Sequence, residues 1–427
     1  MSSIPSAKGI DSTLALLRNP YGFIPDTCRD LEGDLFETRI LFQKTICMTG
    51  AAAAEVFYSE DGLVRAGSMP KRIQRTLLGE KGIQGLDGEA HRHRKRMFMS
   101  LMASERIEAL ENTTRDLLDR YARDWQAAEK VVLYDEVREI LTRAACAWSG
   151  VPLPEAEVKT RTAQMTALFQ DAGAVGWKHW GARLARHRAE RWIAGIIERV
   201  RDGSLQTGQE SAAHVVATWR DLNGELLTSK VAAVELLNVV RPIVAVSAFI
   251  AQAAHALHRH PEWRQKLKDD EGQLEPFVQE VRRLYPFFPA VAARVKSDFE
   301  WRGYRFSKGY RVLLDLYGTN TDARSWDAPQ EFRPERFHDR EATPYDFIPQ
   351  GGGDHHRNHR CPGEWIAISQ MKAFCSFFVN AIDYEVPDQD LDLETEELVR
   401  RRMIWNSLAD FGAEGAGSSG SDYAAWR

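Results

Sequence analysis

The chain is poor in the features that mark secreted, metal-clustered or membrane-spanning proteins. Its five cysteines, Cys28, Cys47, Cys146, Cys361 and Cys375, are scattered and include no Cys-x-x-Cys, so they provide neither a disulfide framework nor a zinc site. The opening, Met1-Ser-Ser-Ile-Pro-Ser-Ala-Lys-Gly9, has no continuous apolar run suited to a signal peptide or an anchor. The most apolar stretch, 231–250, is broken by Glu235 and Arg241, which argues against a membrane span. Charge of one sign is also scarce. The net charge is −5 and the only strongly cationic run, His91-Arg-His-Arg-Lys-Arg96, is too short to mark a nucleic-acid surface; taken alone it reads as a solvated helix face. These absences predict a cytoplasmic protein with no membrane anchor and no nucleic-acid partner.

What is present is enough apolar material for a large core, 44% of 427 residues. No Gly/Ser-rich linker divides the chain before Ala413-Glu-Gly-Ala-Gly-Ser-Ser-Gly-Ser-Asp422, which predicts one domain over 1–427 with a flexible tail from about residue 411. Helical periodicity predicts helices over 104–125, 131–148, 184–200, 231–258, 274–284 and 364–382. Strand-like runs occupy 35–42, part of 51–58, and 298–314, where Gly303 and Gly309 punctuate hairpins. The fold class is mainly α with small β-sheets.

Three motifs carry chemistry. Phe347-Ile-Pro-Gln-Gly-Gly-Gly-Asp-His-His-Arg-Asn-His-Arg-Cys-Pro-Gly363 runs into a helix beginning near Glu364. A thiolate at a helix N-terminus is stabilised by free backbone N–H groups and the positive end of the helix dipole, although a cysteine capping a structural turn fits the same residues. Glu280 and Arg283, three apart on one helical face, can pair, and Arg336 of Phe332-Arg-Pro-Glu-Arg-Phe337 can join them.

Taken in this order the motifs resemble the cytochrome P450 superfamily. The resemblance implies haem b between a long distal helix and the helix after the cysteine loop, with Cys361 as axial ligand of the iron. It further implies that His91 and Lys95, four apart on one face, and Arg65 neutralise the haem propionates. One departure is informative. Most members carry an acid and an alcohol in the middle of the distal helix; here Arg241-Pro242 stands in that place. Pro242 should kink the helix by removing a hydrogen bond to Asn238. Arg241, flanked by Val239, Val240, Ile243 and Val244, asks for an anion, either a structural carboxylate or a bound one.

Arg241-Pro242, the long loop before Cys361 and Gly82-Ile-Gln-Gly-Leu-Asp-Gly88 are similar to the bacterial fatty-acid peroxygenases of that superfamily, over about residues 10 to 393. Pro286-Phe-Phe-Pro-Ala-Val291 and Val386-Pro-Asp-Gln-Asp-Leu391 point to the α-hydroxylating kind. The resemblance implies hydrogen-peroxide-dependent hydroxylation of long-chain fatty acids at the α carbon, with the β carbon as a second position, and no obligatory redox partner. Arg241, beside Pro242, would hold the substrate carboxylate, which then serves as general acid-base. Gln84 would be the distal residue, where relatives with histidine favour decarboxylation to terminal alkenes. Leu77, Leu78, Phe169, Phe287, Phe288 and Val291 would line the acyl chain, Phe288 foremost. A decarboxylase and a redox-partner-fed monooxygenase are the alternatives. The terminal hairpin usual in the family has no match in residues 400–427.

Overall fold

The architecture comes from a computed structural model that describes residues 3–59, 61–340, 343–389, 391 and 404–407. The expected tail from about residue 411 lies outside the described residues. In chain order the elements that matter are strands β1 (Leu35–Ile40) and β2 (Gln43–Met48), helix α1 (Ala51–Ser59), strand β3 (Leu63–Val64) and helices α2 (Lys71–Leu77), α3 (Gly88–Met99), α4 (Ser104–Gln126), α5 (Leu133–Ser149), α6 (Val158–Gln170) and α7 (Trp177–Arg201). They continue as α8 (Ser229–Ala245), α9 (Ser247–Arg259), α10 (Leu274–Leu284), β4 (Ala290–Val295), β5 (Phe299–Trp301), β6 (Tyr304–Phe306), β7 (Arg311–Asp315) and α11 (Glu364–Asn380). Most of the described chain is helix.

The larger sheet has the order β1-β2-β7-β4-β3, antiparallel except where β2 runs alongside β7. Its core of Ile46, Phe306, Val312 and Leu314 is closed by Phe57 and Tyr58 of α1. Here the strand expected within 51–58 is overturned. Val56, Phe57 and Tyr58 suit a strand by propensity, but four consecutive alanines are the strongest helix formers, and Ala53, Ala54, Phe57 and Tyr58 share the buried face of a helix. The strands expected over 35–42 and 298–314 form as β1 and β5–β7. The chain turns between β5 and β6 through Arg302 and Gly303, both at positive φ (52° and 77°). In a small third sheet, Ile404–Ser407 pairs antiparallel with Lys130–Val132 and Tyr384–Glu385.

The six predicted helices form, one beginning seven residues earlier than expected, at Trp177. The helix expected over 231–258 is interrupted at Val246, whose N–H bonds Ile243 O at 3.2 Å. Pro242, four residues earlier, has no N–H to give to Asn238. Thr228 caps the start by accepting from Val231 N–H. The stretch Ser229–Arg259 is apolar and long enough to cross a membrane, but 94% of its apolar window is buried inside the protein; it is the central helix of the core.

The expected three-member network is present. Arg283 Nε and Nη2 donate to the two carboxylate oxygens of Glu280, each at 2.7 Å, and Arg336 Nε reaches Glu280 Oε1 at 3.3 Å. The remaining Arg283 donors go to the carbonyls of Asn320, Pro329 and Glu331, tying α10 to the loops that precede the cysteine loop.

Candidate active site

The cysteine loop folds as it does because three glycines remove obstacles. Gly351 and Gly353 sit at φ +94° and +79°, and a Cβ on Gly351 would lie 3.0 Å from Tyr58 Oη. Asp354 closes the next turn by accepting from His356 and Arg357 N–H, each at 2.8 Å. Cys361 N–H then bonds Gln350 O at 3.1 Å, and Gln350 Nε2 lies 3.7 Å from Cys361 Sγ. Burial, and then Glu364, push the Cys361 thiol up; the Gly363 N–H, Lys95 and Arg282 pull the other way. The helix α11 begins three residues on, as a thiolate-holding turn requires. Glu364 is buried, yet Arg282, His355 at 2.8 Å and Arg360 at 2.7 Å hold its carboxyl well below the usual range against the cost of burial.

Beside this loop lies a group of buried cations. Only one face of the basic run 91–96 is solvated: His91, Arg94 and Lys95 point inward. His91 stacks on His359 with centroids 3.7 Å apart, and Lys95 Nζ donates to Arg360 O. Arg65 donates to Ala292 O at 2.8 Å, its guanidinium over the Phe57 ring. Among the described residues none of His91, Lys95 and Arg65 forms an ion pair with a carboxylate. Burial, reinforced for His91 by Lys95 and Arg65, brings His91 down to about 4; burial brings Lys95 down to about 8. Such a set is short of negative charge. It fits the dianionic edge of a haem, whose iron Cys361 would meet.

Arg241 on α8 is only 5% exposed and makes no hydrogen bond or ion pair among the described residues; its Nε is sealed from solvent without a partner. The structural carboxylate that would account for it is not found among those residues. Burial, and then the neighbouring Arg186, bring its pKa down to about 9, with Cys361 acting in the opposite sense. The buried acid of this helix, Glu235, is committed to Arg94 at 2.5 Å, and its remaining charge, Lys230, is exposed at the helix start.

Three residues before Arg241, Asn238 Nδ2 faces Leu78 O and Gln84 Oε1, both at 3.2 Å, and Glu235 Oε2 at 3.4 Å. Gln84 and Leu78 are thereby tied to the distal helix, and Pro242 is half-buried within it. Arg186 of α7 donates to Glu190 at 2.7 Å and to Leu77 O and Leu78 O at 3.4 and 3.3 Å. Gly79, at φ +81°, makes room for it: a Cβ there would stand 2.2 Å from Arg186 Nη2. Phe169 packs half-buried against the helical core at the end of α6, and Val291 lies in β4 opposite Leu314. Phe288 is 39% exposed and meets Phe287 edge-on at 4.8 Å, while Phe287 stacks on Phe249 at 4.1 Å. No described contact joins Phe169 to Phe288 or Val291.

Asn238, Gln350 and His359 were not singled out by sequence reasoning. Asn238 carried a signal, being one turn before Arg241 on the same helix face; Gln350 and His359 stood in the cysteine loop with nothing to separate them from their neighbours.

Comparisons with known proteins bear on the family and the fold. The family model described as Cytochrome P450 matches residues 259–403. Cytochrome P450SP alpha (CYP152B1), solved in complex with (R)-ibuprophen, is 48% identical, covers 93% of this chain and 98% of its own, and superposes with a TM-score of 0.90. Wild-type cytochrome P450EX alpha with myristic acid is 41% identical over 95% of this chain and 99% of its own, TM-score 0.91. A variant of cytochrome P450 OleT in complex with arachidonic acid is 33% identical over 96% and 100%, TM-score 0.92. A more distant relative, taxane 10-beta-hydroxylase of Taxus cuspidata, is 24% identical over 88% of this chain and 82% of its own. With a cysteine-loop helix, an Arg-Pro distal helix and relatives of this identity along nearly its whole length, the chain belongs to the cytochrome P450 family, within its fatty-acid peroxygenase group.

Proposed function

We propose that the protein hydroxylates long-chain fatty acids at the α carbon, and secondarily the β carbon, with hydrogen peroxide as oxidant and no redox partner. The carrying observation is Arg241: a sealed guanidinium with no partner among the described residues is held at a cost that a bound carboxylate offsets. The fatty acids in the similar structures of P450EX alpha and OleT support that substrate class.

Haem b would be held by Cys361 at the iron and by Arg65, His91 and Lys95 at the propionates. When bound it supplies an iron centre at which the peroxide O–O bond is cleaved, the thiolate favouring the cleavage. In the net reaction one peroxide oxygen enters the C–H bond beside the carboxylate and the other leaves as water. Arg241 binds the carboxylate through two parallel N–H donors and so fixes the distance from head group to reacting carbon. The buried part of the distal helix offers no free acid-base group, since Glu235 is engaged by Arg94. The substrate's own carboxylate therefore takes the peroxide proton and returns it to the departing oxygen. Gln84 is neutral and transfers no proton, which favours hydroxylation over loss of the carboxylate. Leu78, Phe169, Phe288 and Val291 would flank the acyl chain and exclude water.

Purified protein supplied with myristic acid and hydrogen peroxide, without a reductase, is expected to give 2-hydroxymyristic acid. Turnover only with an electron donor would identify a conventional monooxygenase, and a terminal alkene as main product a decarboxylase. In the Cys361→Ser protein, the reduced carbon-monoxide complex should lose its thiolate-type Soret band; persistence of that band would move the axial ligand elsewhere.

A further inference from the structure

The start of α7 carries a surface for which the reaction has no use. Val175, Trp177, Trp180 and Leu184 are 69%, 79%, 73% and 48% exposed. Spacings of three and four residues put Trp177, Trp180 and Leu184 on one stripe of the helix. The stripe continues past Leu184 as the exposed Arg188 and Arg191, with Lys178 and His187 alongside. The only acid between 172 and 197 is Glu190, and it is turned inward onto Arg186. An apolar band therefore adjoins a basic one with no carboxylate of the helix itself between them; the acid that precedes the helix, Asp171, lines a pocket with Trp177 and Lys178 at the helix start. The surface is also anchored: Arg72 Nη2 donates to Gly173 O and Ala174 O at 3.3 and 2.9 Å, and Gly176 at φ +67° turns the chain into the helix.

Two neighbouring tryptophans left in water are costly for a protein surface. Tryptophan is favoured where hydrocarbon meets head groups, and a basic amphipathic helix face binds anionic lipid. We propose that this face of α7 docks on an anionic lipid bilayer, Trp177, Trp180 and Leu184 entering the interface and Lys178, Arg188 and Arg191 meeting phosphate head groups. The docked helix is the one whose inward-facing Arg186 holds the carbonyls of Leu77 and Leu78, so the helix that meets the membrane on one side braces the wall assigned to the acyl chain on the other. Long-chain acids dissolve in bilayers, and docking would bring the protein to them. This goes beyond the preceding reading and takes from it only the substrate class.

The test uses the full-length haem-loaded protein, with binding read by vesicle sedimentation without peroxide and turnover read separately with peroxide and no vesicles. Wild type should bind equimolar phosphatidylglycerol–phosphatidylcholine vesicles on the order of tenfold or more tightly than phosphatidylcholine alone. Trp177→Ser/Trp180→Ser and Arg188→Glu/Arg191→Glu should each lose about tenfold or more of that binding, with turnover of dissolved decanoic acid unchanged. Equal binding by wild type and both variants, or no preference for the anionic vesicles, would overturn the proposal. So would a wild-type dimer that the variants convert to monomer without any vesicle binding, since the face would then join two copies of the chain. A protein that binds vesicles yet hydroxylates nothing would leave docking standing and sink the preceding reading.

Discussion

Arg283 and Arg241 are both sealed from solvent, at 0% and 5% exposure, yet their company is opposite. A guanidinium has five N–H donors. Arg283 directs them to the two oxygens of Glu280 and to three loop carbonyls; Arg241 directs none to any described residue. The first arginine is part of how the chain folds. The second is held at the expense of the fold, and under the proposed reading the difference separates a structural charge from a binding one more clearly than burial or residue type does.

The comparison breaks if the two substitutions behave alike. Arg283→Ala leaves Glu280 in the core with only the long contact to Arg336 and the Arg333 N–H, and should cost about 3–5 kcal/mol of stability, read as a large fall in the unfolding midpoint or as loss of soluble protein. Arg241→Ala should leave the midpoint unchanged or higher, because it removes an unpaired buried charge, while weakening fatty-acid binding by about 2–5 kcal/mol in a spectral titration. A fall in stability with intact binding would make Arg241 structural.

Gln84→His sharpens the chemical side. An imidazole carries a proton where the amide cannot, so the alkene fraction from myristic acid should rise without complete loss of the 2-hydroxy acid. An unchanged product ratio by gas chromatography would relieve Gln84 of that role. The smallest effect concerns His255, a partnered buried group like Arg283, whose ring nitrogens meet Tyr285 Oη and Leu391 O. Burial lowers its pKa to about 4 from 6.5, so between those values the unfolded chain binds the extra proton and stability falls as pH falls. His255→Gln should flatten the stability-versus-pH curve between pH 4 and 6.5; an identical slope would assign the acid sensitivity to other groups.

What could be read from the chain was whatever is local. Glu280 and Arg283 announce their pairing by spacing along one helix, and Cys361 announces its turn by the glycines before it and the helix after it. The misread segment 51–58 failed because alanine propensity and the sheet-covering face of α1 outweighed the strand preference of its aromatic residues. That Arg241 goes without a partner was not legible, because a carboxylate could have arrived from any distant segment. The same holds for Asn238 and Gln84, brought together across 154 residues. Phe288 was favoured among the wall residues, but its 39% exposure reflects how β4 and Phe287 sit, which periodicity does not encode.

Gly79 and Arg186 are bound by exclusion as much as by contact. Because a methyl group at position 79 would stand 2.2 Å from Arg186 Nη2 and within 3 Å of Val234, the two positions cannot drift independently. A larger side chain at 79 is tolerated only after the arginine is shortened or displaced, and shortening the arginine frees the carbonyls of Leu77 and Leu78 that it now holds. In evolutionary terms this is epistasis built into the segment proposed to flank the acyl chain: a lineage that reshapes the surroundings of Leu78 has to change positions 79 and 186 together, and single-site libraries at either one will under-report what the pair can do.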